Sequence, residues 1–198
     1  MHYSLAQSVA PTSEPITTAE AKLHLRVSSD YTDDDAYIDS LIAAARHYVE
    51  TATNRQLVNA TWDQRMDAFP PEIVLRRAKG QSITSIAYID ENGASQTLSA
   101  SVYQSDLNSV PGRIKPAYGE SWPDTRVGDY SAVTVTFVAG YGATAASVPN
   151  TIKQAILLLV GQWYENREPV VTGTIATRIP LTVENIIAVH KVFFVHGT

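Results

Sequence analysis

The chain has 198 residues, 44% of them hydrophobic and 18% charged, with a net charge of -5 and no cysteine. That size and balance fit one globular domain, or one domain carrying a sizeable insertion, and exclude a disordered chain. The lack of cysteine excludes a disulfide framework, a thiolate metal site and a cysteine nucleophile, and the acidic balance speaks against a basic face that grips DNA through its phosphates.

In chain order, residues 1–16 hold Pro11 and Pro15 among small polar residues and read as an extended arm. They lack the basic start and apolar core of a signal peptide. The densest apolar run, Ala155–Val160, is far short of the roughly 20 residues that span a bilayer, so a soluble protein without a membrane anchor is expected. Thr17 or Thr18 caps a short first helix, with Glu20 as reciprocal partner of Thr17 in a capping box. Thr32 is expected to cap a longer second helix, whose Asp33, Asp34 and Asp35 meet the positive end of its dipole. Ile38, Leu41, Ile42, Ala45, Val49 and Ala52 then recur at spacings of three and four, which marks one buried face.

From Leu57 the period changes. Thr61–Met66, Ile73–Leu75, Ile83–Ile89 and Ala132–Val138 mix β-branched and aromatic residues with polar ones and read as strands. Pro70-Pro71, Asn92-Gly93, Pro111-Gly112 and Gly140-Tyr141-Gly142 divide them as turns. Asp90–Gly93 looks like a hairpin tip, and Gly119–Gly128 like a long irregular stretch. Val148-Pro149-Asn150 starts a third helix to about Asn166. Ile152, Ala155, Ile156, Leu159 and Trp163 form its stripe, while Leu157, Leu158 and Val160 lie off it. A helix apolar nearly all round is covered on several sides, either by its own chain or by a neighbouring subunit. After Pro169 the chain loosens, and a short helical pattern, Thr182–His190, precedes Phe193-Phe194-Val195.

The fold class expected is α+β: a mainly helical domain (17–56 and 148–168) with an antiparallel β-module (57–147) inserted between its second and third helices, an extended arm (1–16), and a tail with a short helix (169–198). Arm and tail have no self-sufficient apolar face and are expected to order on assembly. For the tail two readings stand. Leu181, Val183, Ile186, Ile187, Val189, Phe193 and Phe194 either reach out to dock on a partner, or fold back and complete the chain's own core.

Two segments carry a resemblance. The first is Pro15–Val27 followed by the Asp33-Asp34-Asp35 helix with Ala44-Ala45-Arg46 and Val49-Glu50. The second is Val148-Pro149 through Ile152–Val160 into Trp163-Tyr164-Glu165-Asn166-Arg167-Glu168. Together they resemble the gp6-like head–tail connector (adaptor) family of tailed phages and phage-like particles. The resemblance implies a structural ring protein and not an enzyme. The ring, usually of twelve subunits, sits beneath the portal protein, extends the DNA channel without sequence-specific contact, and joins the head to a neck, stopper or tail protein. It implies a place in the particle's neck, after assembly in the host cytoplasm. The interface residues expected on this basis are Leu157, Leu158, Val160, Trp163, Tyr164, Glu165, Arg167, Ile186, Ile187, Phe193 and Phe194.

Other chemistry is weakly supported. Asp33, Asp34 and Asp35 point in different directions and no acid follows at EF-hand spacing, so no metal site is expected. His2, His24, His47, His190 and His196 form no ligand pair at helical spacing. The glycines at 140 and 142 lack the lysine and serine or threonine of a phosphate loop, and Pro123 stands where a nucleophile elbow needs glycine. Arg76, Arg77 and Lys79 form a small basic cluster. A DNA-packaging accessory or other nucleic-acid-binding module of a phage particle is the alternative function, and a small hydrolase finds no catalytic constellation. No cofactor is implied.

Overall fold

The structure, a computed structural model, describes residues 2–166 and 181–194. Two apolar cores, one helical and one of strands, are joined by a buried polar seam.

The helical core is built from α1 (Thr18–Leu25), α2 (Asp35–Thr53), α3 (Asn150–Glu165) and α4 (Leu181–His190). Thr17 opens α1 with both halves of the capping box: its hydroxyl accepts from the Glu20 N–H, and its own N–H donates to the Glu20 carboxylate. α2 begins later than the sequence suggests. Asp34, not Thr32, takes the cap position, and Thr32 instead accepts the Asp35 N–H through its carbonyl. Ile38, Ile42, Ala45 and Val49 face Ile152, Ala155, Ile156, Leu159 and Val160 of α3. α1 and α4 also pack on both of these helices. That explains why α3 is apolar nearly all round: its own chain covers the side that one partner helix leaves open.

The second core belongs to two antiparallel sheets. β1 (Tyr3–Val9), β2 (Ala60–Met66), β8 (Val133–Ala139), β4 (Gly80–Ile89) and β5 (Ser95–Thr97) form a five-stranded sheet in that order. β3 (Ile73–Val74), β7 (Arg113–Pro116) and β6 (Tyr103–Asp106) form a smaller one. β2 and β8 alternate buried residues with half-buried ones, or with exposed Arg65, along their length, which is the signature of a strand with one face on a core. The buried set is Trp62, Met66, Val133, Val135 and Phe137, closed by Ile73, Leu75 and Ile114. Gln64 points into this layer and ties the sheets together: its amide donates to the Val74 carbonyl and accepts the Arg76 N–H.

The arm differs from expectation. Residues 3–9 are not free but form the outer strand of the large sheet, paired antiparallel to β2 from Tyr3–Met66 to Val9–Thr61. Tyr3, Leu5 and Val9 alternate with Ser4, Ala6 and Ser8, a strand period that the flanking prolines obscure.

Candidate subunit and partner interface

The Trp163-Tyr164 pair lies at the C-terminal end of α3, where it meets the start of α2. The Tyr164 hydroxyl donates to the Asp34 carboxylate, and the Tyr37 hydroxyl donates to the Trp163 carbonyl at 3.4 Å. The rings of Tyr37 and Tyr164 lie 6.1 Å apart, and Trp163 meets Tyr48 edge-on at 6.4 Å. These aromatics therefore brace the two central helices and anchor the end of α2 that has no side-chain cap. Both rings stay half-buried, and Glu165 beside them is exposed. Arg167 lies outside the described residues.

Val160 needs correction as an interface residue. It is 0% exposed within the single chain, inside the core that α2, α3 and the helices flanking them share, so it has no surface left to offer. Leu157 and Leu158 are half-buried against the same core and keep part of their surface.

Of the two readings of the tail, the structure takes the fold-back for α4. Val183 is fully buried, and Ile186 and Ile187 pack on the helical core. Past the helix, the Val192 N–H donates to the Thr53 carbonyl, Asn54 donates to the Val192 carbonyl at 2.9 Å, and Arg55 donates to the His190 carbonyl at 2.6 Å. Thr151 and His190 share a hydrogen bond at 2.9 Å. Burial, then the nearby Arg55 charge, push the His190 imidazole below its usual pKa. The physical reason for the fold-back is that the C-cap residues of α2 offer carbonyls and side-chain donors that the tail backbone satisfies.

Folding back does not hide the whole tail. Leu181, Val189 and Phe193 are 71%, 82% and 71% exposed. With exposed Ala188 they leave apolar surface, beside exposed Thr182, Glu184 and Asn185, on a helix whose inner side is spent on the core. Phe194 is half-buried and lies against Arg76, whose guanidinium sits 5.1 Å from that ring and 4.7 Å from Tyr3. One member of the basic cluster thus clamps β1 and the tail at once.

The seam between the two cores is a site that the sequence reading missed. Glu50 is 3% exposed. It accepts from Gln56 Nε2 at 2.7 Å, from the Leu57 N–H at 3.0 Å and from Arg46 at 3.0 Å, and Arg46 also pairs with Glu14. Gln56 in turn accepts from Trp62 Nε1, and Arg77 lies 4.4 Å over the Trp62 ring. Burial pushes the Glu50 carboxyl up and the Arg77 guanidinium down. The two chain crossings are laced together as well: Asn59 N–H donates to the Gly142 carbonyl and Tyr141 N–H to the Leu57 carbonyl. The available signal was the Arg46–Glu50 spacing of four beside the apolar stripe of α2. The result is a stiff joint between the helical and strand parts.

Among the described residues no group of three His, Asp or Glu side chains is placed to hold a metal ion, and no helix is long and apolar enough to cross a membrane. Many of the polar contacts fall at structural joints, and α4 with its extension carries three of the large exposed hydrophobic side chains, Leu181, Val189 and Phe193.

The sequence profile of the phage gp6-like head-tail connector proteins matches residues 15–115, which includes α1, α2 and the Glu50 seam. The chain belongs to that family. Solved structures similar to this connector chain are a chain from the neck of an empty GTA particle computed with C6 symmetry (25% identity, 98% of each chain, TM-score 0.81) and one from the virion of a native gene transfer agent particle (25% identity, 98% of each chain, TM-score 0.79). A chain from the neck of a native GTA particle computed with C12 symmetry shares the fold (24% identity, 100% and 99% covered, TM-score 0.74). No curated protein matches the connector chain by sequence. A structural connector role follows from the family.

Proposed function

We propose that this chain forms a closed ring of twelve copies in the neck of a phage or phage-like particle, beneath the portal, where it extends the DNA channel and offers a surface to the next neck or tail protein. The observation that carries the reading is the match at 25% identity over 98% of both chains to a chain from a particle neck, joined to membership of the connector family. Twelve copies agree with the C12 symmetry applied to one such neck. The net charge of -5 suits a wall past which DNA slides, because a basic lining would hold the duplex by its phosphates. The role is mechanical and not catalytic.

The interface falls on surfaces that the single chain leaves open: Leu157 and Leu158 on α3, Glu165 at its end, and the outer side of α4 with Phe193. Ile186, Ile187 and Phe194 support that side from beneath. A ring multiplies each small contact by its copy number, so modest patches suffice. Particles assembled with and without the chain test the reading. Without it, DNA-filled heads are expected to carry portals but no joined tails. Complete, tailed particles formed in its absence would overturn the proposal.

A further inference from the structure

β1 is an unusual edge. Six of its seven residues are exposed, and among the described secondary-structure elements its only packing partner is β2. Tyr3–Val9 contains no charged residue and no proline. Natural sheet edges are normally blunted by lysine, proline, bulges or cover, since an open edge is a template for another strand. Here a single irregularity falls between Gln7 and Val9, so Tyr3–Gln7 remains a regular ladder edge.

The other end of the same sheet is open too. β4 is ten residues long, yet β5 pairs only with Ala87, Tyr88 and Ile89. The first half of β4 therefore has no strand on its outer side, and Gln81–Ser85 also carries no charge. Two irregularities in its pairing with β8, between Gly80 and Ser82 and between Ile83 and Ser85, fall in this half, so its edge is less regular than that of β1; bulges of this kind bend a strand. A sheet that is to curve around a ring has to bend.

The directions are compatible. Each neighbouring pair from β1 through β2 and β8 to β4 is antiparallel, so β1 and β4 run in opposite senses. A copy placed beside another without inversion brings its β1 antiparallel to the open half of its neighbour's β4. The two edges are different surfaces facing opposite ways, as a head-to-tail contact that closes into a ring requires.

We propose that β1 of one copy pairs antiparallel with Gln81–Ser85 of the adjoining copy, joining the five-stranded sheets edge to edge around the ring. This rests on the ring reading above and adds to it which edges meet. Backbone pairing supplies the contact, while the uncharged side chains avoid repulsion across it.

Hydrogen exchange on the full chain tests this, comparing the monomer with the ring, each identified by native mass, alone and after addition of the portal ring of the same particle. About every second amide in residues 3–7, and amides within residues 81–85, are expected to slow by about tenfold or more on ring formation. Ala6→Lys should raise the concentration needed for assembly by about tenfold while leaving the thermal transition of the subunit in place. A ring in which both segments exchange as fast as in the monomer overturns the edge pairing and leaves the ring reading standing. A chain that stays monomeric in both settings overturns both. A symmetric disulfide dimer of Ala6→Cys, in a chain with no other cysteine, also overturns the proposal, because it would place β1 against β1.

Discussion

The docking of α4 rests on few residues, which makes it a sharp place to test the structure. Val183 is the one α4 residue with no exposed surface. Val183→Ala removes two methyl groups, about 0.8 kcal/mol each from the transfer term, and leaves a small cavity that brings the cost to about 2 kcal/mol. α4 is held to the body by that side chain, by half-buried Ile186 and Ile187, and by the hydrogen bonds at its end. The loss should therefore appear as local opening of α4 and not as unfolding of the whole chain. A cost of about 2 kcal/mol raises the open fraction about thirtyfold. Hydrogen exchange read by peptide mass should show residues 181–194 exchanging about thirtyfold faster, while β2 and β8 keep their protection. Unchanged exchange in α4 would mean that Val183 is not buried as described. Loss of protection in both cores together would mean that α4 is not a separable layer.

Three further outcomes are expected. His190 has a pKa below its usual 6.5 through burial and the Arg55 charge; the undocked form takes up a proton more readily, so docking of α4 is complete above pH 6.5 and weakens as pH falls from there through the lower folded value. Exchange of α4 corrected for its intrinsic rate should show this between pH 7.5 and about 5.5, and His190→Gln should remove it. Glu50→Ala strands the Leu57 N–H and takes one acceptor from the Gln56 amide and one from Arg46, and should cost about 3 kcal/mol in denaturant unfolding, whereas Glu50→Gln should cost less than half of that because burial already opposes the charge. Gly140→Ala sets a Cβ 2.4 Å from Asn59 Oδ1 and 2.7 Å from Asn59 backbone atoms at a φ of +150°, so the joint must shift and the thermal midpoint should fall by several degrees, about 2 kcal/mol or more.

The parts legible in the sequence are those where one local rule acts alone. The Thr17–Glu20 capping box, the α2 stripe and the Thr/Val alternation of β8 each state their structure in a few residues. The short strands β5, β6 and β7 were not legible, because Ser-Gln-Thr, Tyr-Gln-Ser-Asp and Arg-Ile-Lys-Pro carry little strand propensity and are held by the Asp106–Arg113 pair and their neighbours. The surroundings of α3 were half legible. The excess apolar surface of α3 was visible at Leu157, Leu158 and Val160, but which of it is covered within the chain depends on how α1, α2 and α4 pack on α3, and no periodicity announces that. Trp163 and Tyr164 stood out as a string, yet their bonds to Asp34 and Tyr37 depend on how α2 and α3 cross. Arg76 read only as part of a small basic cluster, because its two aromatic partners, Tyr3 and Phe194, sit near opposite ends of the sequence.

The most direct test of the central claim is the native mass of the purified full chain, alone and mixed with the portal ring of the same particle. A species of twelve copies of the 21.6 kDa chain, formed alone or on the portal, is the expected result. A monomer or simple dimer under both conditions would contradict it.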